Sequence, residues 1–482
     1  MKISCKETQF TYNIYHIVKA FFPDAEIEQC VDAEQESLVI LEMDGGSCFS
    51  VAGQGVLGDR KRSVTRQVYD YLSELTGRNL AWGMLTGVRP TKLAMQMMER
   101  EKDAEKAAEI LRKEYAVTAQ KAKLAVEIAG REQVLLESLD RRDGFSLYVG
   151  IPFCPSICSY CSFSSSPIGL WQGRVEDYLD ALCKELGAIA GLTKGKKLNT
   201  IYIGGGTPTT LKPEQLHRLL SWIDEQFSAH MGDGNLSEYT LEAGRPDSIT
   251  KEKLEVIRSF PVSRISVNPQ TMQQQTLDIV GRRHTVQDVK DIFHMARELG
   301  FDNINMDLIA GLPGETAQEM RDTLRQIEEL RPDSLTVHAL AIKRAARMGQ
   351  EKQSAVHLQS EIEAMVEVSA ESAQRMGLLP YYLYRQKNIA GNFENVGYAK
   401  VDKAGIYNIL IMEEQQTIYA AGAGATTKLV LPHKIRLENG KETNLIRTEN
   451  VKSITEYIRR IDEMIERKHP PGNHYGQKAR PI

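Results

Sequence analysis

Long apolar stretches are missing from this sequence of 482 residues. A helix that spans a bilayer needs roughly 20 consecutive apolar residues, and no run in the chain approaches that length. The first stretch, MKISCKETQFTYNIYHIVKAFF, has neither an uninterrupted apolar centre nor a small-residue cleavage site, so it does not resemble a secretion signal. These absences predict a cytoplasmic protein without a membrane span.

Cysteine and tryptophan are scarce, and neither sign of charge dominates. The seven cysteines are an odd number and too few for a disulfide framework in a chain of this length, which favours a reducing compartment. The net charge of −4 argues against non-specific binding to nucleic acid. Hydrophobic residues make up 42% of the chain, an ordinary balance for a globular protein of two or three domains.

Strand and helix signals alternate only in the middle of the chain. Residues 1–145 combine short strands with strongly helical stretches, which predicts a separate α+β region. Residues 146–345 contain six apolar strand segments, SLYVGI, TIYIGGG, EYTLEAG, RISVNP, NINMDLIAGLP and SLTVHALAI, most of them followed by helical sequence. This order predicts parallel strands with helical crossovers that close, fully or partly, into a barrel. The chemistry of such a barrel lies at the C-terminal ends of its strands.

The stretch CPSICSYCSF places Cys154, Cys158 and Cys161 directly after the first of these strands. Thiolates at such short spacing select zinc, copper or iron–sulfur clusters. A structural zinc site needs a fourth cysteine or histidine nearby, yet the next candidates along the chain are Cys183 and His217. A [4Fe–4S] cluster held by three cysteines leaves one iron open for an external ligand. The spacing therefore favours a cluster, with zinc as the alternative.

Further polar motifs follow the other predicted strands. GGGTPT, at residues 204–209, comes after the second strand, where glycine lets the backbone approach a ligand closely and exposed amides could hold a cofactor. Glu242 ends the third strand, Gln270 ends the fourth, and Asp307 lies within the fifth. Each alone is consistent with a satisfied core group, but together they indicate a site at one end of the barrel. Arg282 is either a bidentate partner for a carboxylate or an exposed surface arginine.

The cysteine spacing, with the aromatic residue Tyr160 before the last cysteine, resembles the radical S-adenosylmethionine (SAM) superfamily. The motifs CPSICSYCSF, GGGTPT, LEAGRPD, RISVNPQ and NMDLIAGLPGET resemble the oxygen-independent coproporphyrinogen III oxidase family. WGMLTGVRPTKL and PYYLYRQKNIAGNFENVGYAK resemble its HemZ-type branch, which has an extra N-terminal region. The resemblance implies an α/β fold: a partial (β/α)6 TIM-like barrel over residues 146–345, an additional α+β domain over residues 1–145, and a mixed extension over residues 346–482 that completes the cover of the active site.

The same resemblance implies a radical enzyme of porphyrin (haem) biosynthesis. Such an enzyme uses a [4Fe–4S] cluster and two SAM molecules to convert two propionates of coproporphyrinogen III into the vinyl groups of protoporphyrinogen IX. It also needs an electron donor, such as flavodoxin or ferredoxin, and an acceptor that the sequence does not identify. The positions that match cluster ligands are Cys154, Cys158 and Cys161. The positions that match cofactor contacts are Tyr148, Gly205, Gly206, Thr207, Glu242, Gln270, Arg282, Asp307, Ala341 and Ala423.

Two stretches differ from the patterns of the relatives. The established oxidases end the cluster motif with Cys-x-Cys, whereas residues 161–163 read CSF, as in the haem-chaperone relatives. Those chaperones have His-Asn followed by Tyr-Trp where this chain has ENVGYA at residues 394–399. The oxidase is the favoured function, with Arg282, Lys343 and Arg344 as candidates to hold propionates. The alternatives are a haem-binding chaperone, a radical methyltransferase or ring-opening enzyme acting on haem, and a structural zinc protein.

Overall fold

The computed structural model describes residues 1–52, 60–87, 89–232, 234–340, 355–385, 393–437, 442–469 and 480–481. The strands in this part of the chain form a four-stranded sheet, a twelve-stranded sheet and a two-stranded pair. Within the same residues, no helix has the length and apolar character that a membrane crossing requires.

The N-terminal sheet packs against two helices. Its elements in chain order are β1 (Lys2–Cys5), α1 (Thr8–Phe21), β2 (Glu28–Val31), β3 (Val39–Glu42), β4 (Cys48–Val51) and α2 (Arg60–Thr76). The strand order is β2-β1-β3-β4, with β2 parallel to β1 and the other neighbours antiparallel. Phe10, Ile14 and Ile17 lie at helical spacing on α1 and are buried in one core with Ile3 and Val39 of the sheet.

Three more helices precede the barrel but belong to its core. They are α3 (Pro90–Glu101), α4 (Ala104–Tyr115) and α5 (Ala119–Glu137). Their buried residues Ala94, Leu111 and Ala125 form one hydrophobic cluster with Phe145 and Leu147 of the first barrel strand. These helices therefore pack on the barrel although they lie before residue 145, where the sequence predicts a domain boundary. That boundary stays a prediction.

Six parallel strands form the centre of the molecule. The elements of this region are β5 (Gly144–Ile151), β6 (Phe153–Cys154), β7 (Ser166–Pro167), α6 (Val175–Leu192), β8 (Lys197–Gly205), α7 (Pro213–Phe227), β9 (Glu238–Glu242), α8 (Lys251–Arg258), β10 (Arg264–Ser266), α9 (Gln274–Ile279), α10 (Val286–Glu298), β11 (Ile304–Ala310), α11 (Ala317–Leu330) and β12 (Ser334–Ala339). Strands β5, β8, β9, β10, β11 and β12 are hydrogen-bonded in that order, and all neighbours are parallel. The six strand–helix units that the sequence predicts are confirmed.

The barrel strands are almost entirely buried, and one face of the sheet carries apolar side chains. In β5, for example, Leu147 and Val149 are fully buried, as are Ile201 and Ile203 in β8 and Leu241 in β9. The alternate positions carry buried polar side chains such as Ser146, Thr200 and Thr240. Side chains at the C-terminal ends of the strands share one edge of the sheet.

The C-terminal extension continues the barrel sheet at both edges. Its elements are α12 (Ala355–Arg375), β13 (Leu379–Arg385), β14 (Glu394–Ala399), α13 (Ile406–Glu413), β15 (Thr417–Ala421), β16 (Thr426–Arg436), β17 (Glu442–Glu449), α14 (Ile454–Arg459), α15 (Ile461–Glu466) and β18 (Arg480–Pro481). Strand β14 pairs antiparallel with β12 and with β13. Strand β15 pairs in parallel with β5, and β16 and β17 follow it. The extension is thus part of the central sheet.

A buried ion pair joins the N-terminal helices to β14. The ammonium group of Lys121 on α5 pairs with Oε1 of Glu394, and Nε1 of Trp82 donates to the other carboxylate oxygen at 2.7 Å. All three side chains are buried. Nearby, Nη1 of Arg385 donates to the carbonyl of Leu85 at 2.5 Å. The two stretches that resemble the HemZ-type branch therefore contact each other.

Replacing Lys121 with methionine should destabilise the protein strongly. The substitution leaves the buried Glu394 carboxylate without its cation, and removing one partner of a buried pair costs about 3–5 kcal/mol in the free energy of unfolding. Denaturant unfolding followed by circular dichroism measures the change. Lys123→Met is the matched control, because Lys123 lies exposed on the same helix and its loss should cost no more than about 0.5 kcal/mol. Equal unfolding midpoints for the two variants would contradict the expectation.

Candidate active site

A cavity of about 580 Å³ opens at the C-terminal ends of the barrel strands. The residues proposed from the sequence that line it are Tyr148, Cys154, Cys158, Cys161, Gly205, Gly206, Thr207, Glu242, Gln270, Arg282 and Asp307. They come from strands β5, β6, β8, β9 and β11 and from the loops that follow strands. The parallel order of the strands therefore collects at one place side chains that are far apart in the sequence.

The cysteine loop is fixed at its base by two short strands. Cys154 lies in β6, which pairs in parallel with β7 on the far side of the loop. The amide of Cys161 donates to the carbonyl of Cys158 at 3.1 Å and forms a turn between them. Oγ1 of Thr207 donates to Sγ of Cys154 at 3.5 Å, and Nη1 of Arg245 donates to Sγ of Cys158 at 3.5 Å. Hydrogen bonds of this kind stabilise a thiolate.

The three thiols suit an iron–sulfur cluster better than a zinc ion. Burial raises the pKa of the Cys154 and Cys161 thiols, and the neighbouring Cys158 raises both further, so iron must displace protons on binding. Over the described ranges, no three His, Cys, Asp or Glu side chains are grouped so that one metal ion could bind to them. Zinc needs such a group, whereas each cysteine of a [4Fe–4S] cube binds a different iron atom.

The glycine-rich loop is hydrogen-bonded to the chain that enters the cysteine loop. The amide of Gly206 donates to the carbonyl of Ile151 at 2.8 Å, and the amide of Thr207 donates to that of Phe153 at 2.7 Å. A Cβ atom at position 206 would lie 2.5 Å from the Phe153 carbonyl oxygen. Gly205 has a φ of +106°, a backbone angle that residues with a side chain rarely adopt. The amides of Gly206 and Thr207, which the sequence suggested as cofactor ligands, therefore already donate hydrogen bonds to the backbone. The glycines allow the two backbone segments to approach closely.

Glu242 ends β9 directly beneath this loop. Its Oε1 accepts a hydrogen bond from the hydroxyl of Tyr202, and a Cβ atom at position 204 would come within 2.9 Å of its Cδ. Burial raises the pKa of Glu242 to about 7, although the hydrogen bond from Tyr202 lowers it. The carboxyl group therefore changes its charge near neutral pH, as groups in functional sites often do.

Gln270 holds an unusual backbone conformation. Its φ of +70° lies in the left-handed region, which is unfavourable for a residue with a side chain. Its amide donates to the carbonyl of Asp307 and its carbonyl accepts from the amide of Ile309, both at 2.9 Å. These two bonds to β11 hold the strained residue, and such strain occurs mainly at functional sites.

Asp307 remains ionised at neutral pH. Oδ1 accepts from Nδ2 of Asn305 at 2.7 Å, and Oδ2 lies 3.9 Å from Nε2 of His338 on β12. Burial alone would raise the pKa of Asp307, but the interactions with His338 and Asn305 hold it below its usual range. The cavity thus has one carboxylate that is charged at neutral pH and one, Glu242, whose charge changes near neutral pH.

Arg282 is buried rather than exposed. Its Nε donates to the hydroxyl of Tyr160 at 3.2 Å and its Nη1 donates to the carbonyl of Asn268 at 2.5 Å. Only 5% of the residue is accessible to solvent. The surface alternative for this arginine is therefore wrong, and no salt bridge to a carboxylate is found in the described part of the chain.

Tyr148 belongs to an aromatic wall that sequence reasoning largely missed. Its ring lies parallel to that of Tyr202, with centroids 6.2 Å apart, and Tyr202 stacks on Tyr407 at 4.5 Å. Tyr382 and Tyr384 form a second stacked pair at 6.2 Å. All five line the cavity. Tyr382 and Tyr384 belong to PYYLYRQ, part of a stretch that resembles the HemZ-type branch. Nothing in the sequence indicated that Tyr202 and Tyr407 line a site.

Two predicted contacts remain, Ala341 and Ala423, and among the described residues Ala423 does not line the cavity. Ala341 lies outside the described residues. Ala423 follows β15, and its amide donates to the hydroxyl of Tyr178, which itself donates to the carbonyl of Gly150 at 2.7 Å. Ala423 therefore contacts the back of β5. Sequence reasoning also missed Arg245, although its motif GRPD was noted.

Comparison with known proteins agrees with this geometry. Residues 148–327 match the Radical SAM superfamily. The chain is 40% identical to the oxygen-independent coproporphyrinogen-III oxidase-like protein HemZ of Bacillus subtilis, over 85% of this chain and 83% of that protein. It is 37% identical to the heme chaperone HemW of B. subtilis over 41% of this chain and 51% of that one. It is 33% identical to the oxygen-independent coproporphyrinogen III oxidase of Escherichia coli over 43% and 44%.

A solved structure confirms the fold class. The coproporphyrinogen III oxidase HemN from E. coli, described as a radical SAM enzyme, aligns with a TM-score of 0.54 at 23% identity, over 69% of this chain and 73% of that one. At this identity the match supports the fold alone. The extent of the match to the HemZ protein is what assigns the family. The chain belongs to the radical SAM family of oxygen-independent coproporphyrinogen-III oxidase-like proteins, HemZ type.

Proposed function

We propose that the protein is an oxygen-independent oxidase that converts two propionates of coproporphyrinogen III into the vinyl groups of protoporphyrinogen IX. The observation that carries the proposal is the single cavity where three thiols, two carboxyl groups and the aromatic wall meet at the strand ends of the barrel. The names of the HemZ and E. coli relatives support the substrate class, since both refer to coproporphyrinogen III oxidation.

We assign Cys154, Cys158 and Cys161 as ligands of the [4Fe–4S] cluster that the superfamily implies. When bound, the cluster and SAM supply a carbon radical that removes a hydrogen atom from an unactivated C–H bond. The chain positions and shields this chemistry. The carboxylates of Glu242 and Asp307 attract the positively charged groups of SAM, and two SAM molecules are expected from the resemblance.

The aromatic wall is the surface proposed to bind the tetrapyrrole. Aromatic faces stack well on flat apolar rings. Each propionate loses a β-hydrogen atom, one electron and carbon dioxide to become a vinyl group, so an electron donor such as flavodoxin or ferredoxin and a separate acceptor act with the enzyme. Arg282 is already hydrogen-bonded inside the protein, and Lys343 and Arg344 lie outside the described residues. Arg264 lines the cavity, and its Nε has no hydrogen-bond partner within the described chain, which makes it a further candidate to bind a propionate.

The regions outside the barrel are proposed to complete the site. Tyr382, Tyr384, Tyr407 and Met412 from the extension line the cavity, which supports a covering role for residues 346–482. The N-terminal region contacts that extension through Trp82, which supports an accessory role for residues 1–145.

Anaerobic turnover tests the proposal directly. The protein reconstituted with iron and sulfide, then supplied with SAM, a reductant and coproporphyrinogen III, should form 5′-deoxyadenosine, carbon dioxide and protoporphyrinogen IX. Mass spectrometry and chromatography identify the products, and Cys161→Ala should form none of them. Formation of 5′-deoxyadenosine without a vinyl product would refute the oxidase and leave the family assignment intact.

A haem-binding chaperone is the second candidate function. The CSF sequence at residues 161–163, in place of Cys-x-Cys, and the identity to HemW favour it. Against it, the position that matches the expected haem-binding histidine is Glu394, which is buried against Lys121. Stoichiometric haem binding without turnover of coproporphyrinogen III would favour the chaperone. A haem product of altered mass would instead indicate a methyltransferase or ring-opening enzyme.

Gly206→Ala should prevent most cluster binding. The added Cβ atom would lie 2.5 Å from the Phe153 carbonyl oxygen and 2.9 Å from that of Ile151, so the backbone that leads into Cys154 must move. Iron and sulfide per chain should fall well below the wild-type values. Gly169→Ala, in the turn that follows β7, is the control, because a Cβ atom there meets nothing within 4 Å. Full iron content in the Gly206 variant would show that the contact does not position the ligands.

The affinity for SAM should depend on pH through Glu242. With its pKa raised to about 7, the carboxyl group gains a proton as the pH falls through that value and loses its attraction for the cation. Binding by reconstituted protein should therefore strengthen up to about tenfold between about pH 6 and pH 8. Glu242→Gln should bind weakly without this dependence. Asp307→Asn should bind weakly and keep a pH dependence shifted to lower pH, because the Asp307 charge helps to raise the pKa of Glu242. An unchanged pH profile in Glu242→Gln would rule out this role.

A further inference from the structure

Arg245 is a buried cation held against one of the cluster cysteines. Only 3% of the residue is exposed. Its Nε and Nη2 donate to the two carboxylate oxygens of Asp247 at 2.9 and 2.6 Å. Its remaining nitrogen, Nη1, donates to the carbonyl of Ser156 at 3.0 Å, to the Ser156 hydroxyl at 3.2 Å and to Sγ of Cys158 at 3.5 Å.

The geometry fixes which edge of the guanidinium faces the sulfur. A bidentate pair with a carboxylate sets both the position and the plane of an arginine. Because Asp247 occupies one edge, Nη1 must point at the cysteine loop. Nδ1 of His284 lies 3.9 Å from Oδ1 of Asp247, beyond hydrogen-bonding distance. Burial would raise the pKa of Asp247, but the nearby His284 and the hydrogen bonds from Arg245 hold it far below its usual range.

The turn that carries Arg245 is anchored to the glycine-rich loop. The carbonyl of Arg245 accepts from the amide and hydroxyl of Ser248 at 2.9 and 2.7 Å. Oγ of Ser248 lies 2.6 Å from Oγ1 of Thr209, and Nζ of Lys253 donates to the carbonyls of both residues. The arginine is thus preorganised on two loops that border the cavity.

We propose that Arg245 is a positioning residue that raises the reduction potential of the cluster by donating a hydrogen bond to the sulfur of Cys158. This inference rests on the cluster assigned under the proposed function. Reduction adds a negative charge to the cluster, and hydrogen bonds to ligand sulfur stabilise the reduced form. Arg245 therefore makes the cluster easier for an electron donor to reduce.

Midpoint potentials of anaerobically reconstituted variants test the role. Arg245→Lys keeps the charge but cannot bridge Asp247, Ser156 and Cys158 together, and Arg245→Gln removes the charge. Redox titration followed by electron paramagnetic resonance should give potentials in the order wild type, Arg245→Lys, Arg245→Gln, from highest to lowest. The glutamine variant should be at least about tenfold harder to reduce, which is 59 mV for one electron. Iron and sulfide per chain, measured on the same samples, report cluster loading.

The control is Arg258→Gln, since Arg258 lies at the opposite end of the barrel beside Phe301. Its potential should equal that of the wild type. Wild-type potentials in both Arg245 variants at full iron content would overturn the inference and leave the proposed function standing. If Arg245→Gln holds no cluster, the lysine variant decides alone, and a wild-type potential there would contradict the role. A wild-type protein that takes up no cluster would end both proposals.

Discussion

Two backbone hydrogen bonds fix the geometry on which the rest of the site depends. They run from Gly206 and Thr207, at the end of the second barrel strand, to Ile151 and Phe153, at the end of the first. Any side chain at position 206 would collide with those carbonyls. Because the contact is made by backbone, the start of the cysteine loop is located by the pairing of two parallel strands. The sulfur of Cys154 then receives its hydrogen bond from the same threonine whose amide makes the contact.

Buried charges in this cavity are paired to different degrees, since Arg264 and Arg282 hydrogen-bond only neutral groups in the described part of the chain. Arg245 is matched by Asp247, and Asp307 lies beside His338. Glu242 differs, because it faces a tyrosine hydroxyl rather than a cation, and its pKa is correspondingly raised by burial. A cation that enters the cavity would therefore find one fixed carboxylate and one that ionises in its presence. The charge pattern is one that a sulfonium nucleotide would complement.

The chain on either side of the barrel is part of its structure. At one edge, Glu394 of β14 is tied to Trp82 and Lys121 of the N-terminal region. At the other, Lys468 forms a fully buried ion pair with Glu185 of α6 at 2.8 Å, and its ammonium also donates to the carbonyl of Ala420 in β15. Burying one charge of such a pair without its partner is costly. Each pair therefore disfavours arrangements of the chain that separate its two residues.

The sequence by itself determined the six strand–helix units, because short strand segments rich in apolar residues alternate with helical sequence. It also determined the cysteine spacing, which is local, and it placed most of the predicted site residues in one cavity, since strand ends in a barrel share one edge. Tertiary structure decided that β15 lies beside β5, that Trp82 meets Glu394, and that Arg245 points at Cys158. These contacts join positions from 87 to 312 residues apart. A single buried contact at such separation leaves no periodic pattern in the chain, so only the packed fold reveals it.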